Sequence, residues 1–305
     1  MSMPKKKERT IKMFRKAEKK KAKLRLAITG VAGSGKTYGA LKVAQGLGGK
    51  IAMIDTENGS GDLYSDKFDY DVCSITAPYT VQKYLQAIHE AEQAKYDVLI
   101  IDSLSHVWAG EGGLLDLQGK ITDSSRSGNS WAAWRQITPQ HKRLIEMILS
   151  SKCHIIATMR SKTEYIQVEN DQGKKEVKKI GLAPIQREGV DYEFTTVFDL
   201  ATNHYASVSK DRTGIFDGKI FQLSENTGNI LKEWLDVGVE VFELSAEEKQ
   251  KHLSDIWSRY LEICGNDRNL ATVSIKKIIG DKSATELSQA DIQALNNDLI
   301  LKGGI

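Results

Sequence analysis

The residues with the most specific chemistry lie between Gly30 and Thr37, where the sequence GVAGSGKT fits the pattern G-x-x-x-x-G-K-(S/T). Glycines let such a loop turn its backbone N–H groups toward phosphate oxygens, and the following helix adds its positive N-terminal end. Lys36 is expected to reach the β- and γ-phosphates, and the hydroxyl of Thr37 is expected to hold Mg²⁺. The pattern therefore predicts a site for ATP and Mg²⁺. Its members are Gly30, Val31, Ala32, Gly33, Ser34, Gly35, Lys36, Thr37 and the adjoining Tyr38.

Two carboxylates at the ends of predicted strands complete the expected site. Asp102 closes the apolar run VLIID, which is the position at which a P-loop protein places a metal-binding aspartate. The next residue is Ser103, whereas many P-loop motors carry a glutamate there. Glu57, at the end of the strand that follows the P-loop helix, is therefore the candidate that orients the attacking water. Asp55 is the alternative.

These residues must be positioned by the elements around them. Short β-rich runs alternate with helical stretches, and this alternation predicts an α/β fold with a mainly parallel, twisted sheet flanked by helices. Functional loops are then expected beyond the carboxyl ends of the strands. The predicted strands cover residues 24–29, 51–55, 71–76, 98–102 and 153–158, and the predicted helices cover 37–45, 80–94 and a segment that begins at Thr138-Pro139.

Other stretches set the expected organisation of the chain. Residues 119–130 are rich in glycine, serine and polar side chains, which predicts a mobile loop, and residues 163–180 predict a hairpin turning at 170–173. From about Glu240 the pattern is helical, with helix starts resembling capping boxes at Ser245 and Ser288. The predicted domains are a basic arm (1–23), an α/β core (24–239) and a small helical domain (240–305).

Composition restricts the class of protein. The chain has 305 residues, of which 40% are hydrophobic and 27% are charged, as in ordinary globular proteins. Its longest aliphatic run, residues 98–101, is far below the about 18 residues of a membrane span, and no signal-peptide pattern is visible. The cysteines, Cys73, Cys153 and Cys264, form no CxxC pair, which excludes a disulfide scaffold or zinc knuckle. We therefore expect a cytoplasmic location and no membrane partner.

The charge is unevenly distributed along the chain. The net charge is +3, yet residues 1–25 hold nine Lys and three Arg against two Glu, which gives these 25 residues +10 and the rest −7. Such blocks often bind nucleic acid or another polyanion, because each neutralised phosphate releases counterions. The alternative is a solvated tail that aids solubility.

Taken together, the P-loop, the IDTE strand end and a metal aspartate without an adjacent glutamate resemble the RecA-like ATPases. Within that class the resemblance is to ATPases of phages and mobile elements that serve single-strand annealing and recombination, which implies a bacterial host cell. It covers residues 24–235 and rests on segments 131–134, 157–162, 184–194 and 210–214. It implies that Lys210 and Arg212, as a KxR element, reach a neighbouring subunit's ATP site in a ring or filament. The usual sensor glutamine is absent, and Thr158 or Arg160 is expected to replace it.

The resemblance also implies a contact with single-stranded DNA through two loops, 119–130 and 161–187. Cationic side chains on such loops suit phosphate contacts without sequence readout. The DNA-binding candidates are Lys120, Arg126, Lys162, Lys174, Lys175 and Arg187. Three aromatic residues, Trp131, Trp134 and Tyr165, are candidates for stacking on bases, with packing in the core as the alternative.

Several functions stay open at this level. The favoured hypothesis is a Mg²⁺-dependent ATPase that oligomerises on single-stranded DNA and assists homologous recombination or annealing. The alternatives are a nucleotide-gated DNA-binding module with negligible turnover, a helicase-type motor and a small-molecule P-loop kinase, which the absence of an obvious acceptor-site motif disfavours. The C-terminal helices are expected to bind DNA, a single-strand binding protein or another recombination factor. His106 is a second candidate phosphate sensor or a structural histidine.

Overall fold

The computed structural model describes residues 17–125, 130–169, 175–238, 246–282, 284, 287 and 289–302. It contains two compact units. One spans Ala22–Val237, and the other contains residues 17–21 together with the described residues that follow Val237. The division of the chain into an arm, a core and a helical domain at residues 23 and 239 stays a prediction.

The larger unit is built on one sheet. Its strands are β1 (Arg25–Gly30), β2 (Ile51–Asp55), β3 (Asp71–Ser74), β4 (Val98–Asp102), β5 (His154–Glu169), β6 (Lys175–Pro184), β7 (Thr196–Leu200), β8 (Tyr205–Asp211) and β9 (Phe221–Gln222). Their order is β3-β2-β4-β5-β1-β7-β8-β9, and the pairs from β3 to β7 are parallel, whereas β8 and β9 add antiparallel pairs. The prediction of an α/β fold with a mainly parallel sheet is confirmed.

Helices cover both faces of this sheet. They are α1 (Lys36–Leu47), α2 (Val81–Gln93), α3 (Ser105–Ala109), α4 (Leu114–Ser124), α5 (Ser130–Ser150) and α6 (Glu225–Asp236). The strands β1, β2 and β4 are buried along their whole length, as expected for parallel strands covered on both sides. One core contains side chains of α1 and α6, and the other contains side chains of α2 and α5.

Helix α1 packs closely against α6 because glycines line their contact. A Cβ atom added at Gly46 would lie 1.9 Å from the carbonyl oxygen of Glu225, and one added at Gly228 would lie 2.2 Å from that of Val43. Neither position has room for a side chain. The first residue of α1 is Lys36, so this contact fixes the helix that begins at the phosphate loop.

The prediction that a helix starts at Thr138-Pro139 is wrong. Helix α5 already begins at Ser130 and keeps Pro139 inside it. A proline there removes one backbone hydrogen bond, but Ala133, Ile137 and Leu144 are fully buried along one face of the helix. Burial of this continuous apolar face outweighs the local cost of the proline.

The predicted loop over residues 119–130 is also wrong in part. Residues 119–124 belong to α4, and residues 126–129 lie outside the described residues. Leu114, Leu117 and Ile121 contact the core and lie on one helical face at i, i+3 and i+7. That apolar spacing determines the local structure despite Gly119 and the polar residues between.

The predicted hairpin is confirmed in its two strands. β5 continues past its expected end at residue 158 to Glu169, and β6 pairs with it in antiparallel fashion from Ser161 opposite Pro184 to Glu169 opposite Lys175. Its turn, predicted at residues 170–173, lies outside the described residues.

The sequence predicts a helical pattern from about Glu240, and the described residues beyond Val237 form three helices. They are α7 (Ala246–Ile263), α8 (Arg268–Ile279) and α9 (Gln289–Leu301), and they share a core around Tyr260 and Leu295. Asp267 caps α8, its carboxylate accepting from the backbone N–H of Asn269 at 2.8 Å. The predicted helix starts Ser245 and Ser288 lie outside the described residues. Among the helices described, none has the length and apolarity to cross a membrane.

Candidate nucleotide-binding site

The phosphate loop connects β1 to α1, which is the strand–loop–helix context that its sequence pattern requires. Gly33 and Gly35 have φ values of 76° and 88°, in the left-handed region that favours glycine. At Gly30 an added Cβ would lie 2.8 Å from the carbonyl oxygen of Leu200, the last residue of β7. Glycine is therefore needed at three positions for the loop to take this path.

Lys36 extends across the loop that precedes it. Its Nζ donates to the carbonyl oxygen of Val31 at 2.9 Å, and burial lowers the pKa of its ammonium group from the usual value. The charge of Lys36 therefore lies over the inner side of the loop, where the backbone N–H groups of a P-loop meet phosphate.

Thr37 and Asp102 lie together in a cleft beside the phosphate loop. The hydroxyl of Thr37 donates to Oδ2 of Asp102 at 2.5 Å, and the hydroxyl of Thr158 donates to Oδ1 of the same carboxylate. Asp102 is 1% exposed, and this burial raises its pKa despite both hydrogen bonds. Hydroxyl and carboxylate oxygens are the ligands that Mg²⁺ prefers, and a buried carboxylate gains from a cation beside it. This donor set fits the predicted ion.

Glu57 lines the same cleft and is paired with Arg160. The Nε of Arg160 donates to Oε1 of Glu57 at 2.9 Å, and its Nη2 donates to Oε2. Burial by itself raises the pKa of Glu57, but the hydrogen bond and charge of Arg160 outweigh it and hold that pKa below its ordinary value. The Arg160 partner of Glu57 was not predicted.

Asp55, the alternative to Glu57, has a different place in the structure. Its carboxylate accepts from the backbone N–H groups of Glu57 at 2.8 Å and of Gly59 at 2.7 Å. Asp55 thus shapes the turn that carries Glu57.

His106 has the surroundings of a structural histidine. Its Nδ1 is hydrogen-bonded to the hydroxyl of Thr56 at 2.7 Å, and its ring stacks on Tyr79.

The predicted phosphate, metal and water-orienting residues converge on one cleft of about 510 Å³. A second cavity of about 460 Å³ adjoins it and shares the loop residues Gly33 and Gly35. The first is lined by Lys36, Thr37, Glu57, Tyr64, Asp102 and Arg160 among others. The second is lined by Tyr38, Lys42, Tyr64, Leu200, His204 and Gln222 among others.

His204 is a residue of this region that sequence reasoning missed. It lies in the connection between β7 and β8, and its Nδ1–H donates to the carbonyl oxygen of Ser34 at 3.1 Å. The same ring nitrogen lies 3.1 Å from the place where a Cβ of Gly35 would be. The pairing of β7 with β1 brings this connection beneath the loop, and that pairing leaves no local signal in the sequence.

Lys210 and Arg212 do not line this cleft. Lys210 lies opposite Val197, and the backbone of Arg212 donates to the carbonyl oxygen of Thr195, whereas the phosphate loop adjoins Leu200 at the other end of β7. The Lys210 Nζ donates to the carbonyl oxygen of Asp191 at 3.1 Å. Within one chain, the KxR element is therefore separated from the nucleotide site.

The predicted DNA-binding residues that the structure describes have different surroundings. Lys120 pairs with Asp116 at 2.8 Å, Lys162 is exposed on β5, and the Arg187 guanidinium lies 5.9 Å from the ring centroid of Trp134. Arg126 and Lys174 lie outside the described residues, as do the side chains of Lys175 and Tyr165.

The two tryptophans have different environments. Trp134 stacks on the buried Trp108 with ring centroids 5.9 Å apart, which favours packing in the core over stacking on bases. Trp131 is 82% exposed.

Comparisons with known proteins place this site in a family. The sequence pattern of the AAA domain matches residues 22–217, which include the whole phosphate loop, Glu57 and Asp102. A comparison with curated proteins gives no match. Among solved structures, the chain is similar to a prototypical ATPase from the type III secretion system of pathogenic bacteria. That likeness has 13% sequence identity and a TM-score of 0.35, and it covers 90% of this chain and 81% of the other. Because the AAA domain match covers well over half of the 305 residues, the chain belongs to the AAA domain family of P-loop ATPases.

Proposed function

We propose that this protein is a Mg²⁺-dependent ATPase that assembles on single-stranded DNA and assists homologous recombination or strand annealing. The observation that carries the proposal is the convergence of Lys36, Thr37, Asp102 and Glu57 on one cleft beside a strand–loop–helix P-loop. Membership in a P-loop ATPase family supports the hydrolytic part. The DNA-related part rests on the sequence resemblance and on the +10 charge of residues 1–25.

The residues of the cleft divide the work of phosphoryl transfer. Thr37 and Asp102 would hold Mg²⁺, which when bound neutralises charge on the phosphate oxygens. The ammonium of Lys36 leaves the carbonyl of Val31 and binds the β- and γ-phosphates. The loop N–H groups and the start of α1 bind the remaining phosphate oxygens.

Glu57 acts on the attacking water. Its carboxylate orients the water and accepts a proton as the water oxygen bonds to the γ-phosphorus. The bond from that phosphorus to the β–γ bridging oxygen breaks, and ADP and inorganic phosphate result. A carboxylate with a low pKa is ionised at neutral pH, as this role requires.

The second cavity suits the nucleoside part of ATP. It adjoins the phosphate cleft at Gly33 and Gly35, and the ring of Tyr38 lies on its wall between Tyr64 at 5.5 Å and the ammonium of Lys42 at 4.8 Å. An aromatic wall of this kind can receive a flat base, and polar groups such as Gln222 can bind its edge.

Lys210 and Arg212 are proposed to act in trans. Their distance from the chain's own phosphate loop supports this, since only another subunit's ATP can meet them. Cationic donors supplied by a neighbour can contribute about a thousandfold in rate or more. Oligomerisation would therefore be a condition for full hydrolysis.

The first test is ATP hydrolysis with and without single-stranded DNA, measured across protein concentration for wild type and Glu57→Gln. We expect stimulation by DNA, a steep dependence on protein concentration, and a loss of at least about a hundredfold in the variant, as for removal of a positioned base. A rate of ATP hydrolysis that changes neither with DNA nor with protein concentration would contradict the proposal and favour a kinase or a protein-directed switch.

A second candidate is a nucleotide-gated DNA-binding module with negligible turnover. The observation that favours it is the pairing of Glu57 with Arg160, which occupies both oxygens of the water-orienting carboxylate. Equal DNA binding with ATP and with a non-hydrolysable analogue, together with no DNA-stimulated phosphate release, would identify this function.

A further inference from the structure

We propose that Arg160 has two alternative partners: it binds Glu57 while the cleft holds no triphosphate, and it transfers to the terminal phosphate when ATP binds. Glu57 is released for water activation by the same movement. This inference rests on the proposed ATPase function and adds to it a coupling between substrate binding and the water-orienting residue.

Both groups reach the cleft from fixed backbone positions. Arg160 lies on β5, where its backbone N–H donates to the hydroxyl of Ser105 at 2.9 Å and its carbonyl oxygen accepts from Ile185 at 2.6 Å. Glu57 lies in the turn that the carboxylate of Asp55 fixes. The flexible part of the pair is therefore the long side chain of Arg160, which can change partner without any movement of the sheet.

The pair between Arg160 and Glu57 has good hydrogen-bond geometry but contributes little free energy. The guanidinium fork donates to both oxygens of Glu57, the arrangement that also suits a phosphate group. The side chain of Arg160 is nevertheless 46% exposed, and ion pairs open to water contribute little. A terminal phosphate bears more negative charge than one carboxylate, so it can compete for the same fork.

Other groups of the site favour Arg160 over Thr158 as the residue that meets the phosphate. The hydroxyl of Thr158 is bound to the buried carboxylate of Asp102, whereas Arg160 lines the cleft together with Lys36 and Glu57. ADP carries no γ-phosphate, and it would leave the Arg160–Glu57 pair intact. The pair thus distinguishes ATP from ADP and keeps Glu57 inactive after hydrolysis.

The test is a double-mutant cycle on nucleotide affinity with Mg²⁺ present, using ADP and a non-hydrolysable ATP analogue. The four proteins are wild type, Arg160→Met, Glu57→Gln and the double variant. Arg160→Met should weaken the ATP analogue by at least about tenfold and leave ADP within about twofold, as for loss of a charged hydrogen bond to one phosphate. Glu57→Gln should tighten the analogue about two- to fivefold, because the competing partner of Arg160 is weakened.

The coupling between the two variants decides the matter. Glu57→Gln should raise the affinity for the ATP analogue clearly less in the Arg160→Met background than in wild type. In that background the substitution only removes the charge repulsion between Glu57 and the phosphate. An equal effect of Glu57→Gln in both backgrounds would overturn the inference. So would an equal loss of ADP and ATP-analogue affinity in Arg160→Met, which would indicate a structural role only.

Two controls separate this inference from the proposed function. Arg143→Met removes an exposed arginine of α5 that does not line the cleft, and it should change neither affinity. Lys36→Ala should weaken both nucleotides. If Lys36→Ala binds as wild type does, the phosphate loop is not the nucleotide site, and the proposed function fails together with the exchange of Arg160. If Lys36→Ala is weakened and no coupling is seen, the exchange alone is excluded.

Discussion

At the scale of single residues, this protein keeps several ionisable groups in environments that oppose their charge. Asp102 is one example, since burial raises its pKa and, among the described residues, its carboxylate accepts hydrogen bonds from the hydroxyl groups of Thr37 and Thr158 and not from a cation. His154, at the start of β5, is another. Its Nδ1 accepts from the backbone N–H of Leu24 at 3.0 Å. Burial, helped by the nearby charges of Lys23 and Arg25, lowers its pKa to about 4.

The lowered pKa of His154 predicts a pH-dependent stability. Because the folded-state pKa lies below the unfolded value of about 6.5, the unfolded chain binds the proton first, and stability falls as the pH falls below about 6.5. Between pH 7.5 and pH 5 this group should remove about 2 kcal/mol from the free energy of unfolding. Urea unfolding at the two pH values measures the difference.

His154→Asn supplies the control for this measurement. Asparagine offers an acceptor oxygen to the backbone N–H of Leu24 but does not titrate. The pH dependence of its stability should therefore be smaller than that of the wild type by about the same 2 kcal/mol. An unchanged pH dependence would assign the effect to other groups.

At the scale of elements, the contact between α1 and α6 requires glycine at Gly228. Gly228→Ala places a methyl group against the backbone of Val43, and we expect it to lower the free energy of unfolding by about 1–3 kcal/mol through overpacking. Alanine has the higher helix propensity, so propensity alone predicts the opposite sign. Chemical unfolding of the variant decides between packing and propensity.

The matched substitution is Gly119→Ala in α4. Apart from its chain neighbours and the backbone of its own helix, no atom of the described residues lies within 4 Å of a Cβ added there, and φ is not in the left-handed region. This variant should be more stable than wild type by up to about 1 kcal/mol. Equal effects of Gly119→Ala and Gly228→Ala would show that the close approach of α1 and α6 is unimportant.

At the scale of the whole molecule, the trans site predicts complementation between two inactive proteins. The variant Lys210→Ala/Arg212→Ala keeps Glu57, and the variant Glu57→Gln keeps both cations. In a one-to-one mixture with heterologous contacts, about a quarter of the sites would combine an intact Glu57 with intact cations from a neighbour. ATP hydrolysis by the mixture should therefore recover to about a quarter of wild type. A mixture as inactive as its components would refute action in trans.

The features that could be predicted from the sequence are those whose residues are close together in the chain. The phosphate loop is contiguous, and Asp102 ends a recognisable buried strand, so both could be placed beforehand. The partners Glu57 and Arg160 are 103 residues apart, and Ser34 and His204 are 170 apart. Those pairs depend on which strands become neighbours in the sheet, and no local pattern encodes that order.

The glycine contact between α1 and α6 has a consequence for ligand binding. At Gly46 and Gly228 the helix that begins at Lys36 meets α6 backbone against backbone, so its position is set when the chain folds. The conformational entropy of ordering that helix is lost once, during folding, and need not be lost again with every nucleotide bound. Each turnover would then begin with the phosphate loop and its helix already in place. Only side chains, and not whole elements, would need to rearrange.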